Sequence, residues 1–175
     1  SDENAHPHTD CAGSLAVVHN GIIENYEELR EWLRGRGHVF RSETDTEVLP
    51  HLIEHFYAGD LLAAVRETVR RVRGSYALAV LCREHPGFLV AVRRDSPLVV
   101  GLGRGENFVA SDIPALLPYT RRTCVLNDGE MVAVTPEGVR IFDAQARPVH
   151  KNVFEVTWDA TEAEKGGYPH FMLKE

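Results

Sequence analysis

Apolar positions follow two different periods along this chain. Up to about residue 72 they recur at helical spacing. Leu29, Trp32 and Leu33 form an i, i+3, i+4 stripe; Leu49, Leu52, Ile53 and Phe56 form a second. Leu61, Leu62, Val65, Val69 and Val72 form a third. Asn25 is placed to cap the first helix, with Glu28 at the reciprocal capping-box position and Gly35 and Gly37 at its end. Pro50 is tolerated only in a first turn, so the second helix begins near Thr46 or Glu47; Gly59 ends it and Asp60 caps the third. One-sided stripes on neighbouring helices predict a helical layer over a sheet.

From Gly74 the pattern changes to short β-branched and aromatic runs. Tyr76–Leu81, Phe88–Val92, Leu98–Gly101 and Phe108–Ala110 read as strands. Ser111-Asp112 opens a short helix, Ile113–Leu117, which Pro118 stops. Thr123–Leu126, Met131–Val134 and Val139–Phe142 follow, joined by Asn127-Asp128-Gly129 and Pro136-Glu137-Gly138, and read as a meander. Before the helices, Leu15–Val18 and Ile22-Ile23 flank Asn20-Gly21, which reads as a β-hairpin. Val39 and Phe40 suggest a brief strand. Helices early and antiparallel strands late predict an α+β fold. Residues 1–158 are expected to form one domain, with 159–175 expected as a C-terminal extension leading to a linker.

Composition narrows the function classes. With 175 residues, 43% hydrophobic and 26% charged, the chain is an ordinary globular domain. A net charge of -7 is unsuited to tracking a phosphate backbone, so no nucleic-acid partner is expected. Arg66, Arg70, Arg71 and Arg73 sit among acidic neighbours and read as a solvated helix face. Cys11, Cys82 and Cys124 are odd in number and widely spaced, which argues against a disulfide framework and for the cytoplasm. No run is long and apolar enough for a membrane span.

Two segments carry candidate chemistry. In Val17–Asn25, Asn20 offers a carboxamide NH₂ and Gly21 a backbone N–H, donors suited to an oxyanion; an ordinary turn uses the same residues. In Ser42–Glu47, Asp45 is suited to hold the α-ammonium of an amino acid, with Glu43 second; plain N-capping by Ser42, Thr44 or Asp45 is the competing reading. His6-Pro7-His8 lacks a recognisable partner motif, so no metal is expected there, and His6 suits a ligand pocket better. Cys11 has His8 nearby in sequence but no base evidently aimed at it. No cofactor is expected.

Taken together, Asn4-Ala5-His6-Pro7-His8, His19-Asn20-Gly21-Ile22-Ile23-Glu24-Asn25, Ser42-Glu43-Thr44-Asp45-Thr46-Glu47 and Ser96-Pro97-Leu98 resemble the glutamine–fructose-6-phosphate aminotransferase (isomerizing) family, the glucosamine-6-phosphate synthases. Gly101-Leu102-Gly103 and Ala110-Ser111-Asp112 fit in order. The resemblance implies the glutaminase domain of a class II amidotransferase: an N-terminal-nucleophile-type four-layer αββα sandwich, incomplete because its first strands precede Ser1. It implies an oxyanion hole from Asn20 and Gly21, and a substrate pocket containing Asp45, Gly21 and His6. The family's cysteine nucleophile and its arginine- and tryptophan-bearing loop have no counterpart in this sequence, so the 175 residues alone are expected to be inactive. The implied partners are glutamine or glutamate and a sugar-isomerase domain; a homo-oligomer is left open. The alternatives are a nucleophile-free amino-acid-binding or interaction module, or the glutaminase domain of another class II amidotransferase.

Overall fold

The computed structural model describes residues 7–159. Its elements run β1 (His8–Thr9), β2 (Leu15–Ile23), α1 (Tyr26–Arg34), a 3₁₀ turn (Asp45–Glu47), α2 (Val48–Phe56) and α3 (Leu61–Arg71). Then follow β3 (Gly74–Cys82), β4 (Leu89–Arg94), β5 (Val99–Leu102), β6 (Asn107–Ala110), α4 (Ile113–Leu116) and β7 (Arg122–Val125). The remainder is β8 (Met131–Thr135), β9 (Gly138–Phe142), β10 (Pro148–Val149) and β11 (Phe154–Glu155).

The strands form two antiparallel sheets, a seven-stranded one ordered β1-β2-β3-β4-β8-β9-β10 and a four-stranded one ordered β11-β7-β5-β6. Alternation along β3 and β4 sorts the layers. Leu78, Val80, Val90 and Val92 pack with Leu33, Leu49, Leu52, Ile53, Leu61 and Val65 beneath the helices. The opposite faces, Ala77, Ala91, Val132 and Val134, meet Val100, Cys124 and Leu126 of the second sheet. Val99, Ile113 and Leu116 then place α4 outside that sheet. The order helices, sheet, sheet, helix is the expected α+β sandwich. Small residues at 77 and 91 let the sheets approach, while fully buried Leu33 or Ile53 under the helices each contribute roughly 1.5–3 kcal/mol.

The helix boundaries follow the sequence signals closely. Asp60 accepts a hydrogen bond from the Ala63 N–H at 3.1 Å, and Asp112 from the Ala115 N–H at 3.1 Å. Asn25 departs from expectation. It stands at the N-cap of α1 without a side-chain cap bond. Its Nδ2 donates to the Arg71 carbonyl at 2.8 Å and its Oδ1 accepts from the Arg73 N–H at 2.9 Å, so the side chain fixes the α3–β3 connection.

Three further expectations are corrected. Asn20-Gly21 does not turn: β2 continues through it and pairs without interruption with β3, from Leu15 opposite Cys82 to Ile23 opposite Gly74. A partner strand of equal length outweighs the local turn preference of Asn-Gly. Val39 and Phe40 form no strand: the 38–44 segment is held by side-chain bonds, such as Arg30 to the Thr44 carbonyl and Glu47 to the Arg41 N–H, and not by strand pairing. The segment containing Thr123–Leu126 does not join a meander: β7 pairs with β5 and β11, and of the three expected meander strands β8 and β9 alone pair with each other.

Glycine is required where β2 and β3 converge. Gly21 and Gly74 have φ of +119° and +123°. A Cβ on Gly21 would collide with the Ser75 carbonyl, and one on Gly74 with the Ile22 carbonyl. Gly59 also has positive φ, +100°, but faces open space. Gly74→Ala is therefore expected to lower stability by about 3 kcal/mol and Gly59→Ala by about 1 kcal/mol in equilibrium urea unfolding. Equal losses would contradict the close approach of the two strands.

Candidate active site

The site is assembled where the C-terminal half of β2 meets the 3₁₀ turn before α2. Alternation along β2 points Val17 and His19 toward the helices and Ala16, Val18, Asn20 and Ile22 toward the other face. Asn20 is exposed on that second face, and its Nδ2 donates to the Ser111 hydroxyl at 2.6 Å. Ser111 follows β6 and precedes α4, so the carboxamide is oriented from the second sheet's layer. An amide NH₂ has two hydrogens, so one bond to Ser111 leaves the other available. Gly21 beside it presents backbone without a side chain. A groove lined by Ile22, Glu24, Arg73, Gly74 and Ser75 opens alongside.

The 41–47 segment approaches from the helical layer. Asp45 Oδ2 accepts the Ile23 N–H at 2.7 Å, which joins the turn to the end of β2. Neither Thr44 nor Glu47, the residues preceding the turn and α2, makes a side-chain cap bond, while Ser42 Oγ accepts the Thr44 N–H at 3.4 Å. The organising group is Glu47, only 4% exposed. Its carboxylate accepts the Arg41 N–H at 2.8 Å, the Ser42 N–H at 2.6 Å and the Ser42 hydroxyl at 2.6 Å. Arg30 donates to the Thr44 carbonyl at 3.1 Å, and Thr44 Oγ1 lies 3.2 Å from His8 Nε2. Buried His19 reaches Thr46 Oγ1 at 2.9 Å. The segment is thus pinned to β1, β2, α1 and its own helix.

Electrostatics follow from these bonds. Burial opposes the charge on Glu47, but the Ser42 and Arg41 donors and His51 outweigh it and hold the carboxyl below its ordinary range. About two turns further along α2, burial beside Asp10 raises Glu54 to about 7. Burial likewise lowers His38 and His51, which favours their neutral forms.

Residues 1–118 match the model of a glutamine amidotransferase domain. The chain belongs to the glutamine amidotransferase domain family. Curated relatives of this amidotransferase domain include glutamine–fructose-6-phosphate aminotransferases [isomerizing] from Clostridium tetani, 58% identical, and Thermus thermophilus, 60% identical. Both matches cover 100% of this chain, which spans 29% of the length of those relatives. Among solved structures, a glutamine phosphoribosylpyrophosphate amidotransferase from B. subtilis matches with TM-score 0.68 at 27% identity, over 82% of this chain and 32% of that one. A glutamine aminotransferase class-II domain protein from Silicibacter pomeroyi shares the fold, with TM-score 0.57 at 21% identity, over 82% of this chain and 71% of that one.

Within the amidotransferase domain, the structure brings Asn20, Gly21 and Asp45 to one end of β2 through the Asp45–Ile23 bond. His6 lies outside the described residues. Sequence reasoning missed Ser111 as the partner of Asn20, because 91 positions separate them. It also missed Glu47 as the anchor of the 41–47 segment, although a Glu five residues after a Ser at a helix start is a legible signal.

Glu47→Gln removes a charge-assisted acceptor from the half-buried N–H and O–H donors of Arg41 and Ser42 and is expected to cost on the order of 2 kcal/mol. Because the folded-state pKa is lowered from 4.5, this stabilisation is fully present above that value and is lost as pH falls through the depressed one. Denaturant unfolding across the acid range should show a shallower acid loss in Glu47→Gln than in the parent. Parallel acid limbs would rule out this role.

Proposed function

We propose that this chain is the glutamine-hydrolysing part of an enzyme that moves the glutamine amide nitrogen onto fructose 6-phosphate, giving glucosamine 6-phosphate. The observation that carries the reading is the near-60% identity, over all of this chain, to relatives bearing that name. The geometry is compatible with the chemistry. Attack on the side-chain amide of glutamine creates an oxyanion. The hydrogen of Asn20 Nδ2 not used by Ser111, together with the Gly21 N–H, would receive it. Asp45, oriented by the Ile23 N–H, would hold the substrate's α-ammonium group.

The attacking thiolate is not among the three cysteines. Cys82 and Cys124 are buried, and Cys11 faces His38 and His51 rather than the Asn20–Ser111 pair. On this reading the nucleophile would come from residues other than these 175, which alone would turn over no glutamine. Val18, Ile22 and Leu81 are 50%, 66% and 53% exposed on the face of β2 and β3 that lies toward the second sheet's layer. That open apolar surface is where the nucleophile-bearing residues of the longer protein would pack.

The test uses the longer protein that contains this chain. Asn20→Ala is expected to lower kcat for glutamine hydrolysis by ~100–1000-fold with little change in KM. Asp45→Ala is expected to raise KM for glutamine and to abolish calorimetric binding of L-glutamate. Fructose 6-phosphate should be required for amino-sugar formation. Unchanged kcat in Asn20→Ala would sink the oxyanion assignment. Glutamate binding without turnover in the longer protein would favour an amino-acid-binding module instead.

A further inference from the structure

We propose that Cys11, His38, His51 and Glu54 form a structural zinc site that ties the β1–β2 turn and the α1–α2 connection to α2. Nothing in the amide chemistry uses these residues, and the inference stands independently of it. Their ligand atoms all lie within 4.8 Å of one another. His38 Nδ1 is 3.9 Å from Cys11 Sγ, 3.1 Å from His51 Nδ1 and 3.0 Å from a Glu54 oxygen. His51 Nδ1 is 3.5 Å from Cys11 Sγ and 4.0 Å from the same Glu54 oxygen. Zinc bonded tetrahedrally to one sulfur at about 2.3 Å and to nitrogen or oxygen at about 2.0–2.2 Å gives ligand–ligand edges of about 3.3–3.6 Å. The observed edges scatter around that figure.

Hydrogen bonding accounts for this convergence poorly. A neutral imidazole nitrogen carries either one hydrogen or one lone pair, yet His38 Nδ1 and His51 Nδ1 each face three polar atoms. The tautomer of His51 is set from its far side. Glu47 already accepts three donors, so its carboxylate can only accept again from His51 Nε2, 3.2 Å away. That places the His51 proton on Nε2 and aims the Nδ1 lone pair into the cluster. Carboxylate–histidine pairs of this kind orient metal-binding imidazoles. His51 is 1% exposed, so no solvent competes for the lone pair.

Each donor sits on fixed backbone. Asp10 accepts the Ser14 and Leu15 N–H groups at 2.8 and 3.1 Å and the Ser14 hydroxyl at 2.7 Å, which shapes the turn holding Cys11. The His38 N–H bonds the Leu33 carbonyl at 3.2 Å, closing α1. His51 and Glu54 are one turn apart on α2. Two imidazoles, a thiolate and a carboxylate match zinc by softness and by charge: a dication meets two anionic ligands. Four protein ligands leave no open position for a reacting water, so the role is structural.

The test is metal analysis of the full chain after zinc supply and gel filtration, with cobalt substitution as a spectroscopic readout. The expected result is one zinc per chain. Cobalt should give visible bands of tetrahedral strength and a thiolate charge-transfer band in the near ultraviolet. Cys11→Ala should abolish the charge-transfer band, and His38→Ala should weaken zinc affinity at least ~100-fold. His150→Ala, on an exposed residue that is not among the four proposed ligands, should change neither. Circular dichroism of each variant separates loss of ligand from loss of fold. Substoichiometric zinc in the parent, or a charge-transfer band that survives in folded Cys11→Ala, would overturn the proposal.

Discussion

The unbroken pairing of β2 with β3 is the constraint on which the rest of the structure depends. Nine residue pairs run from Leu15–Cys82 to Ile23–Gly74, and the last part of that register passes through two glycines whose Cβ atoms would collide with the opposite strand. The ladder therefore sets two things at once. It delivers Val17 and Ile23 to the core beneath the helices, and it delivers Asn20 to the opposite face, where Ser111 meets it. A one-residue slip would exchange these faces, burying the carboxamide and exposing the valine. Fold stability and the presentation of the candidate donors share one register.

The second element of control is polar. The 41–47 segment has no strand pairing and only a single 3₁₀ turn, so its shape rests on side-chain carboxylates. Asp45 reaches outward to the Ile23 N–H, and Glu47 reaches back to Arg41 and Ser42. Without these acceptors the half-buried donors would each lose a hydrogen bond, at about 1–2 kcal/mol. A loop held this way is stiff without being a regular element, and stiffness is what a pocket for a small polar ligand requires.

The helices and most strands were legible because their stripes, caps and turn residues act locally. Asp60 and Asp112 do what their positions announce. The errors share a cause. Asn20-Gly21 and Asn25 carry strong local preferences, for a turn and a cap, and both are overridden by partners more than 45 positions away, β3 and the Arg71–Arg73 segment. The assignment of β7 to the second sheet is equally non-local, since nothing in Thr123–Leu126 distinguishes one antiparallel neighbour from another. Of the site, the residue types at Asn20, Gly21 and Asp45 were readable, whereas Ser111 was not.

Glu47 connects the candidate site with the Cys11–His38–His51–Glu54 cluster. Its carboxylate holds the backbone of the 41–42 segment on one side and His51 Nε2 on the other. Asp45 lies two residues before it, and His51 four residues after it on the same face of α2. A cation in the cluster would draw charge from His51 and polarise its Nε2–H toward Glu47, strengthening that bond. The strengthened bond would fix the carboxylate that shapes the turn carrying Asp45. Metal and amino-acid sites would then be coupled through one buried carboxylate and one imidazole, with no change of fold required.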